Sequence, residues 1–126
     1  MSFIYLASPY THPKPSVMGD RAWLAGRAAR NIGAAGIPVY SPIVHWHDIG
    51  STFPRDWEFW AELDLPLLRA SRLVVVLMLQ GWEESRGVQA EIAEARTHGI
   101  PVQTLTWGEL GRLAAVDLRA LLGCEP

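Results

Sequence analysis

Apolar residues along this chain fall into short dense bursts, separated by longer stretches in which Ala and Leu recur at helical spacing among charged residues. Residues 3–7 form a nearly continuous apolar run closed by Ser8-Pro9, the pattern of a buried strand. A Pro-rich loop at 12–15 precedes residues 18–35, whose Ala, Arg and Leu content predicts a helix, with Gly33 and Gly36 bracketing its expected end. Residues 37–40 predict a second strand stopped by Ser41-Pro42, and 44–54 a polar and aromatic loop. Helical spacing resumes at Arg55, with an interruption expected at Pro66, which has no N–H to donate within a helix. The clearest strand is 73–79, apolar on both faces and therefore expected at the centre of a parallel sheet. A loop at 80–85 leads to a helix over 86–98, with Val88, Ile92 and Ala95 on one face and Gly99 as its cap. Residues 102–105 predict the fourth strand and 107–122 a closing helix.

Strands and helices thus alternate, which predicts an α/β fold: a doubly wound open parallel sheet of four to five strands with helices on both faces. Sheets of that kind bind ligands beyond the carboxyl ends of their strands, where the strand order reverses. The loops that would build a site are therefore 8–15, 41–54 and 80–86. A chain of 126 residues fits one domain spanning 1–126, and 49% hydrophobic with 19% charged residues is enough for a packed core. A net charge of −2 argues against a nucleic acid polymer or an anionic membrane as partner. Lys14 is the lone lysine; arginine suits planar anions, although a GC-rich genome produces the same bias. The single cysteine, Cys124, allows no internal disulfide, the N-terminus lacks a basic leader, and no apolar run approaches a membrane span. A cytoplasmic protein is expected.

Familiar motifs are missing. No Gly-x-Gly-x-x-Gly follows the first strand, no phosphate loop ends in Gly-Lys-Ser or Gly-Lys-Thr, and no Gly-x-Ser-x-Gly elbow is present. His45-Trp46-His47-Asp48 gathers imidazoles and a carboxylate, and in an extended loop His45 and His47 would converge. Without cysteine or a His-Glu-x-x-His helix nearby, they read as loop histidines that line a pocket or cap backbone groups, and no metal or other cofactor is expected.

Two carboxylates stand out against the usual solvated, ion-paired helix acid. Glu91 has Gly87, Val88, Glu94 and Ala95 as same-face neighbours, hence no basic partner, and lies in the first turns of its helix. There the helix dipole should favour the ionised form that a nucleophile needs. Asp64 is flanked by Trp60, Ala61, Leu67 and Leu68, so it must find hydrogen bonds or stay protonated; a cap at the Pro66 break is the structural alternative. Glu58, Glu62, Glu83, Glu84 and Glu94 read as ordinary solvated charges. Tyr10, Trp46, Trp57, Trp60 and Trp82 fall in or beside the three strand-end loops, a distribution suited to stacking on a flat ligand such as a nucleobase, with core packing as the default for each alone.

Tyr-Leu-Ala-Ser-Pro-Tyr at the first strand, Asp64 eight residues before the third, and Gly-Val-Gln-Ala-Glu at 87–91 resemble the nucleoside 2-deoxyribosyltransferase-like superfamily over nearly the whole chain. Ser-Pro-Ile-Val-His-Trp-His and Gly-Trp-Glu-Glu-Ser-Arg-Gly-Val are more similar still to a small bacterial family of unknown function within it. The resemblance implies a flavodoxin-like sheet and an N-glycosidase. Glu91 would attack the anomeric carbon, Tyr5 would hold it, and Asp64 would be the acid near the leaving base. The deoxyribosyltransferases carry an aspartate where this chain has Ser85, while similar hydrolases of nucleoside monophosphates have serine there, which favours a nucleotide over a free nucleoside. Ser8, Pro9, Ser85, Gly87, His45 and Trp82 are the candidate substrate contacts, with Arg21 a further candidate for phosphate. Base exchange, a nucleotide-binding protein without catalysis, and an FMN carrier are the alternatives. The resemblance also implies a homodimer or homotetramer.

Overall fold

The computed structural model describes residues 2–124. Four strands, β1 (Ile4–Ala7), β2 (Val39–Tyr40), β3 (Leu73–Leu77) and β4 (Val102–Leu105), form one parallel sheet in the order β2-β1-β3-β4. Between them run α1 (Pro15–Ala34), α2 (Pro42–Trp46), α3 (Trp57–Ala70) and α4 (Arg86–Thr97), and β4 is followed by α5 (Trp107–Arg112) and α6 (Ala115–Leu121). The chain leaves β1 towards one edge and returns for β3 on the other side, so the order reverses between β1 and β3. This is the expected doubly wound α/β arrangement.

Every residue of β1 and β3 is buried, because both strands have neighbours on either side and helices above and below. Alternation of side chains then makes two cores. Ile4, Leu6, Val75 and Leu77 pack with Ala28 and Ile32 of α1, Leu110 of α5 and Leu118 of α6. Tyr5, Ala7, Val74 and Val76 pack with Leu68 of α3 and with Val88, Ile92 and Ala95 of α4.

Several element boundaries differ from the sequence pattern, four of them for a local reason. The first helix starts at Pro15, not Met18: proline is well placed at N1, where its missing N–H is not needed. The segment expected as a loop from Val44 opens instead with α2, because Ser41 accepts a hydrogen bond from the Val44 N–H and Pro42 takes N1. Pro66 does not end α3; it and Glu62, whose carbonyl loses its partner, are both exposed, so water can satisfy that carbonyl. The closing helix is two helices, separated by extended backbone at Leu113 and Ala114; Gly108 and Gly111 weaken it just before the break. The third strand also ends at Leu77, two residues early.

Candidate active site

The carboxyl ends of β1 and β3 open into a cavity of about 430 Å³, within the range of ~300–1,000 Å³ typical of small-molecule sites. Its floor holds Glu91. This carboxylate stands on the second turn of α4, 5% exposed, and accepts a hydrogen bond from the Tyr5 hydroxyl of β1. Tyr5 is itself fully buried, and burial together with the neighbouring Glu91 charge pushes its hydroxyl well above the ordinary range, so it serves as a neutral donor. Burial raises the Glu91 carboxyl to about 8, against the partial relief of the Tyr5 hydrogen bond; the Asp64 charge raises it further. The dipole of α4 was expected to keep Glu91 ionised. Desolvation outweighs it: the dipole effect at a helix end is ~0.3–2 kcal/mol, whereas each unit of pKa is ~1.4 kcal/mol.

Asp64, 6% exposed on α3, also lines the cavity. It caps no helix end. The Trp46 indole N–H from α2 donates to its Oδ1 at 3.0 Å, and burial raises the carboxyl to about 6 in spite of that bond. The two acids thus meet in one cavity with separated titrations, an arrangement suited to acid and base work at one centre.

The mouth is set by helix starts and loops. Ser85 is the N-cap of α4, its Oγ accepting the Val88 N–H at 3.2 Å, which leaves its O–H free to donate towards the cavity it lines with Gly87. Across from it, Ser8 follows β1; its Oγ is buried and has no hydrogen-bond partner among the described residues, although Ser8 lines the cavity. A buried hydroxyl without a partner is uncommon and calls for a ligand or water to complete it. Trp46, Trp57, Trp60, Tyr10 and Phe53 form an aromatic wall.

Of the residues named from the sequence, Glu91, Asp64, Ser8, Ser85 and Gly87 line the cavity, and Tyr5 lies directly beneath it. Three do not come to it. Pro9 is buried away from the lining. Trp82 packs on the core shared by β1, β3 and α4. His45 is exposed and stacks near Tyr40 and Trp46, at ring distances of 5.6 and 4.5 Å. His47 takes the place expected of His45: it lines the cavity and meets the Tyr10 hydroxyl at 2.7 Å through Nδ1. The reason is α2. In an extended loop alternate residues share a side, but in a helix they lie about 200° apart. Ser41-Pro42, a capping residue followed by an N1 proline, was the signal that could have shown it.

Arg21 does not face the site either. Its guanidinium donates to the carbonyls of Tyr10, Thr11 and Gln80 at 3.4, 3.0 and 3.2 Å, tying the β1–α1 loop to the β3–α4 loop. Gly81 permits this closeness, with φ +90 and space for no Cβ, which would lie 2.5 Å from Arg21 Nη2. Arg55 was not foreseen; it lines the cavity and reaches the Met18 sulfur at 3.3 Å. Among the described residues, no group of three His, Cys, Asp or Glu side chains is placed to hold a metal ion, and no helix is long and apolar enough to cross a membrane.

No curated protein matches the chain in sequence. Among solved structures, a 2-deoxyribosyltransferase from the psychrotolerant bacterium Bacillus psychrosaccharolyticus is similar over 95% of this chain and 82% of its own, with a TM-score of 0.62 and 17% identity. The shared feature is the fold, as the resemblance in sequence implied. Residues 2–107 match the family described as a domain of unknown function, DUF1937, and the chain belongs to that family.

Proposed function

We propose that this protein is an N-glycosidic hydrolase that releases the base from a nucleoside monophosphate or nucleoside, acting as a single domain without a cofactor. The observation that carries the reading is the buried Glu91 carboxyl, held by Tyr5 on the floor of a cavity that also contains the buried Asp64 carboxyl. In the first step a Glu91 oxygen bonds to the anomeric carbon as the C–N bond breaks. The electron pair leaves on the base nitrogen, which takes the Asp64 proton. In the second step water attacks the glycosyl ester, gives its proton to Asp64 and frees Glu91. The phosphate would meet the Ser8 and Ser85 hydroxyls and the N-terminus of α4, where unpaired N–H groups favour an anion. The 2-deoxyribosyltransferase of the same fold supports a nucleoside-like substrate.

With Glu91 near 8 and Asp64 near 6, the productive form, Glu91 ionised and Asp64 protonated, is a minority at pH 7. Two one-unit gaps make it on the order of one molecule in a hundred. Base release is then bell-shaped in pH, and the acid limb reports Asp64 while the basic limb reports Glu91.

A panel of nucleotides and nucleosides scored by chromatography for free base tests the proposal. Release of base from at least one member, lost in Glu91→Gln, is the expected result. A panel that binds tightly but stays intact for hours would instead favour a binding protein. Formation of a new nucleoside on adding free base would indicate base exchange. We further propose a cytoplasmic homodimer or homotetramer, which a solution mass measurement checks.

A further inference from the structure

Trp46 comes from the His-Trp-His segment, to which the proposed reaction gives no part. It is the last residue of α2 and lines the cavity. Its indole is held on several sides, with His45, Phe53 and Trp60 at ring distances of 4.5, 5.7 and 6.3 Å. Trp60 lies one turn before Asp64 on α3, so one helix face both braces the ring and presents the carboxyl that the ring bonds. An indole N–H can only donate, so Asp64 Oδ1, 3.0 Å from it, must offer a lone pair. Oδ2 has no protein partner among the described residues.

We propose that Trp46 is a positioning residue: its indole N–H holds Oδ1 of Asp64 as the accepting oxygen, so that the proton given to the departing base is carried on Oδ2. This rests on the reading of Asp64 as the acid. The other titratable groups around Asp64 are Tyr5 of β1, Tyr40 of β2 and Glu91 of α4, with His45 and His47 on the α2 side. None of these groups hydrogen-bonds to Asp64; the indole is the contact that specifically favours its charged form.

Trp46→Phe removes the N–H and keeps a ring in the cluster. Two substrates are compared: one that the wild type cleaves with release of a base, and the 4-nitrophenyl glycoside of the same sugar, whose phenolate leaves without a proton. In Trp46→Phe the acid limb for base release moves up by about one pH unit, because a donor to the carboxylate is gone. In kcat/KM, which covers only the steps up to phenolate release, the limb for the nitrophenyl glycoside depends on Glu91 alone and stays where it was. An acid limb that does not move, or limbs that move together on both substrates, would overturn the role. If the phenyl variant does not fold, 3-benzothienylalanine at position 46 keeps the shape of indole without its N–H and is read the same way. A wild type that cleaves neither substrate refutes the hydrolase reading itself, and this inference with it.

Discussion

On β1, Ile4 and Leu6 point towards α1, α5 and α6, while Tyr5 and Ala7 point towards α3 and α4. The first side is an apolar core throughout. The second puts a tyrosine hydroxyl, a glutamate and an aspartate into the same depth of burial. Both sides bury their side chains, but only on the second does burial act on titratable groups. The apolar side turns desolvation into stability; the α3–α4 side turns part of it into displaced pKa values.

The largest effect that would separate the two sides is catalytic. Glu91→Gln keeps size and a hydrogen-bond acceptor for Tyr5, and is expected to reduce base release by more than about a thousandfold while circular dichroism stays native. Its counterpart is Leu6→Ala on the apolar side, fully buried in wild type. It should cost about 2–5 kcal/mol in urea denaturation, with kcat near that of wild type for the molecules that remain folded. Equal effects of both variants on kcat would erase the distinction between the faces.

A pH series sharpens it further. The folded-state pKa of Glu91, about 8, lies above its ordinary value of 4.5, so the folded form binds the proton more tightly than the unfolded chain. That contribution is complete below about 4.5 and is lost as pH rises through 8. Asp64 adds the same sign between 3.8 and about 6. Wild-type stability should therefore decline from pH 5 to pH 8, by up to roughly 1.4 kcal/mol per unit from Glu91, and Glu91→Gln should flatten most of the slope. A slope that persists in the variant would place the responsible group elsewhere.

Ser8→Ala should have the smallest effect. Its hydroxyl is buried without a protein partner, so removal should change stability by less than about 1 kcal/mol, in the stabilising direction. Under the proposed phosphate contact, KM for a nucleotide should rise several-fold while that for the matching nucleoside stays the same, a difference that steady-state kinetics would show.

Much of this was legible along the chain because it rests on local regularities. Continuous apolar runs at β1 and β3 announce strands buried on both faces, and the alternation with helices implies a parallel sheet. Glu91 was visible as a helix carboxylate with no basic residue one turn away, and Asp64 as a charge among apolar neighbours. What the sequence could not decide was the state of those groups. The partner of Asp64 is 18 residues away on another helix and that of Glu91 86 residues away on a strand, so neither bond follows from spacing. The same holds for His47 in place of His45, which depends on the backbone of α2. Secondary structure answers to neighbours within a few residues, whereas protonation answers to everything within a few ångströms; only the folded chain determines which residues those are.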